Sequence, residues 1–103
     1  MPNFVFAYHG GKPPESPEEG AKVMAAWNAW FETLGPAIVD GGAPVGASKT
    51  VASGGVSDGG GLNPLSGYSI VRADNIDGAV EMARGCPILE DGGNVEVAEA
   101  MEM

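Results

Sequence analysis

Hydrophobic and polar positions along the chain follow two periods. Phe4-Val5-Phe6-Ala7-Tyr8 is a short apolar run. In an extended chain Phe4, Phe6 and Tyr8 share one face, and Val5, Ala7 and His9 share the other. Both faces are apolar, which predicts a central strand covered on each side. His9-Gly10-Gly11-Lys12-Pro13-Pro14 breaks the pattern. Ser16-Pro17-Glu18-Glu19 then opens a helix: Ser16 suits the cap, Pro17 the first helical position and Glu19 a capping box. Val23, Trp27, Trp30, Phe31 and Leu34 recur at helical spacing as one wide apolar stripe, and Gly35-Pro36 closes the helix. Two tryptophans at that spacing point to core packing before a ligand platform.

Ala37-Ile38-Val39 reads as a second strand, ended or bulged by Asp40-Gly41-Gly42. Residues Ala43 to Ala47 form a turn region. Ser48 to Ala52, the turn Ser53-Gly54 and Gly55-Val56-Ser57 read as a small hairpin. Asp58 to Asn63 carries too much glycine for regular structure. Gly67 to Pro87 is the organising unit. Tyr68-Ser69-Ile70-Val71-Arg72 has the aromatic and β-branched content of a strand. Asp74 is the expected cap of a helix bearing Ile76, Ala79, Val80 and Ala83 on one face, and Gly85 and Pro87 end it. After Glu90-Asp91-Gly92-Gly93, Val95, Val97 and Ala98 alternate with Glu96 and Glu99. That suits a last strand whose glutamates protect an exposed edge.

The order is β-α-β, hairpin, β-α-β. This is an α+β chain on a ferredoxin-like βαββαβ plan with an extra small hairpin, forming one domain over residues 1–103. A sheet of this plan carries its helices on one face. The second apolar face asks for a partner sheet, which predicts a homodimer.

Charge and cysteine usage narrow the partners. Fourteen acidic residues against five basic ones give a formal net charge of −9. Neither nucleic acid nor an anionic membrane is expected as a partner, because both need a basic surface. Cys86 is the sole cysteine, so no intramolecular disulfide can form and a reducing compartment is expected. The start Met1-Pro2-Asn3-Phe4 has no basic region and no long apolar run, so the expectation is a cytoplasmic protein without a leader.

With these elements in place, GYSIVRADNIDGAVEMARGCPIL and the short strand after it resemble the C-terminal half of the YCII-related family, in the branch called DGPF-domain proteins. Tyr8-His9-Gly10-Gly11, the tryptophan-bearing helix, Val39-Asp40-Gly41-Gly42, Ser48-Lys49-Thr50-Val51 and Val56-Ser57-Asp58-Gly59 extend the resemblance over nearly the whole chain. It implies a ferredoxin-like protomer and a dimeric α+β barrel. Two departures stand out. The DGPF signature is present only as Asp58-Gly59, followed by glycine. The histidine that better-known YCII-like members carry on the first helix is absent from Ala26-Trp27-Asn28-Ala29-Trp30, so no histidine–aspartate dyad transfers from the family.

His9 is the only histidine, so acid/base work near neutral pH falls to it first. It lies just past a strand end, on the side where the plan puts Asp58. A His9–Asp58 pair is therefore the expected catalytic constellation, with Tyr8 and Tyr68 as expected substrate-binding phenols. The alternative is that His9 simply hydrogen-bonds at its strand end. Asp40 before two glycines and Asp58 before three are each explained by turn formation alone. The glycines from Gly54 to Gly61 match no phosphate-binding loop and read as a loop over the sheet end that closes on a ligand. Cys86 at a helix C-terminus reads as a packed thiol of raised pKa. One histidine and one cysteine make no zinc site, and the carboxylates lack calcium-loop spacing; no metal and no cofactor are expected. The sequence thus supports a binding protein that holds a small, mostly apolar molecule in a dimer cavity. One alternative is a lyase or isomerase acting on a small cyclic or aromatic compound, with His9 as proton carrier. The other is a structural interaction module.

Overall fold

The alternation that begins at Phe4 is realised as a sheet with one filled face and one open face. The computed structural model describes residues 1–102. Four strands, β1 (Asn3–His9), β2 (Ile38–Pro44), β5 (Leu65–Arg72) and β6 (Asn94–Ala100), form a sheet of order β2-β5-β1-β6, every adjacent pair antiparallel. Helix α1 (Pro17–Leu34) follows β1 and helix α2 (Ile76–Ala83) follows β5. Strands β3 (Lys49–Ala52) and β4 (Gly55–Asp58) pair only with each other, as a hairpin inserted between β2 and β5. The molecule is a small α+β domain with an antiparallel sheet and two helices, compatible with a ferredoxin-like plan.

Local chemistry sets the ends of the helices. Ser16 caps α1, its Oγ accepting the Glu19 N–H at 3.1 Å, with Pro17 at the first helical position. Gly35 (φ 53°) ends α1, its N–H donating to the Phe31 carbonyl. The cap of α2 is Asn75, one residue later than the expected Asp74. Asn75 has the extended backbone of a cap (φ −158°), and its Oδ1 accepts the Gly78 N–H at 2.9 Å.

Register sorts the sheet residues. Phe4, Phe6 and Tyr8 stand opposite Val71, Ser69 and Gly67 on β5, and opposite Glu99, Val97 and Val95 on β6. This is the helix side, and apart from Glu99 it is apolar or satisfied. Phe6 stacks on Trp30 with centroids 6.1 Å apart, and Tyr8 meets Trp27 edge-on at 5.0 Å. The Trp30 indole N–H donates to the Met82 carbonyl at 3.0 Å, tying α1 to α2. Both tryptophans are therefore core residues, and Ala79, Ala83, Cys86 and Ile88 complete the cluster.

On the other side lie Val5, Ala7 and His9 of β1, Leu65, Tyr68 and Ile70 of β5, and Ala98 of β6. None of the hydrophobic ones belongs to the core cluster. The covering expected on both sides of β1 is therefore supplied on one side alone by this chain. The molecule measures 43 × 42 × 18 Å. Its thin dimension holds one layer of helices, about 10 Å across, on one sheet. The radius of gyration, 14.7 Å, exceeds the roughly 13 Å typical of a 100-residue domain. A two-layered plate with a projecting hairpin accounts for the excess.

Strand β2 runs to Pro44, through what the sequence marked as a turn, because two bulges let it stay paired with β5 past Asp40. Gly42 makes this possible. It has φ 73°, and a Cβ there would lie 1.7 Å from the Tyr68 carbonyl oxygen. Asp40 serves the same bulge, its Oδ1 accepting the Gly42 N–H at 2.8 Å. The Gly42→Ala variant is expected to lose at least about 2 kcal/mol of stability, from backbone strain and from displacement of β2. Urea unfolding followed by tryptophan fluorescence measures this, and an unchanged midpoint would contradict the bulge geometry.

Candidate functional site

His9 closes β1 at an irregular point. Tyr8 pairs with Gly67 and His9 with Leu65, so Ser66 is an extra residue on β5. Such bulges redirect side chains, and Ser66 here donates to the Gly10 carbonyl at 2.8 Å. On the other flank Gly93 lies so close that a Cβ would fall 2.7 Å from the His9 carbonyl oxygen. The His9 side chain is buried, at 9% exposure, on the open face.

Both ring nitrogens face acceptors. Nδ1 lies 3.1 Å from the Asn63 carbonyl oxygen and 3.3 Å from that of Pro64. Nε2 lies 3.0 Å from Glu96 Oε1. Carbonyls only accept, so Nδ1 must carry a proton. The ring that satisfies all three partners is the imidazolium, donating from Nδ1 to the chain and from Nε2 to the carboxylate. The Glu96 side chain is 66% exposed. The loop before β5 thus fixes the tautomer, and Nε2 is the ring nitrogen turned to the carboxylate on the open face.

The alternation of the last strand points Glu96 to edge protection. Glu96 reaches His9 because β6 pairs with β1: Ala7 faces Glu96 and His9 faces Asn94, so the two side chains are diagonal neighbours on one face. That pairing between strands distant in sequence is the signal that would have found it.

The expected His9–Asp58 constellation is not assembled. Asp58 stands opposite Lys49 at the base of the hairpin and is ion-paired to its ammonium group, with its own side chain 90% exposed. Hairpin register captures it before any sheet residue can. Tyr8 and His9 are adjacent on one strand and so point to opposite faces. The Tyr8 hydroxyl donates to Ser69 Oγ at 2.7 Å inside the core, and Ser69 passes the bond to the Gly41 carbonyl at 2.7 Å. Burial pushes the Tyr8 phenol far up, with the Ser69 bond a smaller opposing effect. It is a core hydroxyl. Tyr68 is on the open face, 36% exposed, opposite Ala7 and Ala43. His9, Glu96 and Tyr68 therefore share one sheet face.

Other groups lie elsewhere. Cys86 is 2% exposed. Burial pushes its thiol up to about 11, a backbone hydrogen bond at Ile88 opposing the effect weakly. Two shallow depressions, one at the hairpin base beside Lys49 and Asp58, the other between Leu34, Arg72 and Met82, do not include His9. Among the described residues, no group of three or more His, Cys, Asp or Glu is placed to hold a metal ion, and no helix is long and apolar enough to cross a membrane.

A scan against protein-family models finds no match to this chain, and a search of the curated proteins finds none either.

Two outcomes follow from this geometry. Long-range proton–nitrogen correlation of the His9 ring is expected to show a protonated Nδ1 in the folded protein; an unprotonated Nδ1 would overturn this tautomer assignment. For Cys86, the folded thiol ionises above its ordinary 9.0, at about 11. The unfolded chain therefore gives up its proton first as pH rises, so this contribution is intact below pH 9 and declines between 9 and 11. At pH 8 iodoacetamide should alkylate the native thiol at least about a hundredfold more slowly than the urea-unfolded one. Equal rates would mean an accessible thiol.

Proposed function

We propose that two copies of this chain associate with their open sheet faces together, as a dimeric α+β barrel, and that the enclosure binds a small, mostly apolar molecule. The observation that carries this reading is a helix-free sheet face of Val5, Ala7, Tyr68, Ile70 and Ala98 with one buried, hydrogen-bonded imidazole at its end. Apolar walls with a few placed polar groups are what a small-molecule site requires. Tyr68 supplies an aromatic wall, and the His9–Glu96 pair is the polar anchor. The resemblance to YCII-related proteins of the DGPF branch accords with this arrangement. The lone buried thiol suits a reducing compartment such as the cytoplasm.

A second reading makes the same face an active site. The Nδ1 bonds to two backbone carbonyls orient Nε2 toward the open face, with Glu96 as its proton-sharing partner. That is the arrangement of a general acid/base, and it supports a lyase or isomerase acting on a small cyclic or aromatic compound.

Sedimentation equilibrium and titration with the neutral apolar dye N-phenyl-1-naphthylamine test the first reading. The wild type is expected to be a dimer that enhances dye fluorescence, and Ile70→Asp a folded monomer that does not. A monomeric wild type would falsify the barrel. Dye uptake by a dimeric Ile70→Asp would move the site off this face. In the first reading His9→Gln still takes up dye; abolished turnover in that variant, once a substrate is identified, would favour the second.

A further inference from the structure

Among the described residues, the hairpin β3–β4 pairs with no other strand. Every residue of both strands is exposed. Its register places Val51 opposite Val56, at 77% and 64% exposure, on the same face as the Lys49–Asp58 ion pair. Leu62, in the loop between the hairpin and β5, is fully exposed at 107%. A two-stranded hairpin alone is marginally stable in water, and a paired valine face on one is a surface waiting for cover. The hairpin leaves the sheet where Pro44 faces Gly67 and rejoins it where Leu65 faces His9, so it projects from the His9 end.

Charge placement indicates the occupant. Of the 14 acidic residues in the chain, three lie on the open face or the hairpin, and each has a partner there: Asp40 the Gly42 N–H, Asp58 the Lys49 ammonium, Glu96 the His9 ring. The remaining acids lie on the helices, on the turns that flank them, on the helix side of the sheet and at the terminus. The segment from Val45 to Leu65 carries no charge besides Lys49 and Asp58. For two chains of net charge −9, the open face and the hairpin are the surfaces that meet with least repulsion.

We propose that the hairpin is an exchanged arm, whose Val51–Val56 face docks on the open sheet side of the second copy, so that each protomer covers part of the other's His9 end. This rests on the dimer argued above and adds which segment crosses between copies. A strand of four residues reaches about 14 Å beyond the sheet, enough to overlie the neighbouring layer.

The test uses the full chain. The double variant Val51→Ser/Val56→Ser, altered only at exposed positions, is expected to raise the dimer dissociation constant at least about tenfold, with circular dichroism and tryptophan emission unchanged. Directly, a nitroxide on Ser53→Cys at the hairpin tip, mixed with unmodified isotope-labelled chain, is expected to broaden amides of β1 and β5 in the other copy. A wild-type dimer with neither effect overturns the exchanged arm and leaves the face-to-face dimer standing. A hairpin that docks on another class of partner gives that same result. A wild type that stays monomeric overturns both.

Discussion

Each residue of a central strand must send its side chain to one of two faces, and in β1 both faces are apolar. That constraint organises the molecule. On one side Phe4, Phe6 and Tyr8 meet Trp27 and Trp30, and the helices can lie nowhere else, because their own buried residues are these partners. On the other, Val5, Ala7 and His9 continue into Tyr68 and Ile70, with no second layer among the described residues. The buried imidazole is held there by the carbonyls of Asn63 and Pro64 and by the Glu96 carboxylate. A buried ring with both nitrogens satisfied is rigid in orientation. One of its partners, Glu96, is a mostly exposed side chain.

The filled face solves a different problem. Tyr8 and Ser69 bring hydroxyls into an aromatic core, where an unpaired one would cost about 1–3 kcal/mol. Tyr8 donates to Ser69 and Ser69 donates to Gly41, so the chain of bonds ends on the bulge of edge strand β2. Among the described residues no buried side-chain nitrogen or oxygen lacks a partner. The bulge that carries β2 past Asp40 therefore also completes the core's hydrogen bonding. Gly42, whose backbone lies almost against Tyr68, is the residue on which both depend.

Local signals were legible and long-range register was not. The Ser16 cap, the aromatic stripe of α1, the two-residue hairpin turn and the apolar faces of β1 are all encoded within a few residues of where they act. The α2 cap shifted from Asp74 to Asn75 because both can cap, and only the backbone angle decides. Tyr8 and His9 could not share a face, a point already implicit in the alternation of β1. Asp58 and Glu96 exchanged places as the acid nearest His9 for a subtler reason. Asp58 is captured nine residues away by Lys49, whereas Glu96 reaches His9 across 87 positions. Nothing near either residue announces which strand will lie beside β1.

The incomplete second face bears on folding as well as on function. The fully buried large side chains, Phe4, Phe6 and Val71, all lie on one side of the sheet, so hydrophobic stabilisation comes from a single thin layer. A domain of this size buries only about 60–70% of its chain surface even when it is compact, and this plate is not. Open-face residues such as Ile70 and Tyr68, with the hairpin valines, hold apolar area that a single copy leaves partly in water. Covering it in the proposed dimer would add to stability by mass action, and folding and association would then be linked. The acidic surface opposes that association at long range, most strongly at low salt. In the proposed dimer the near-neutral open face and hairpin would let contact prevail at short range, and the face that would enclose a ligand would also be the one through which association stabilises the fold.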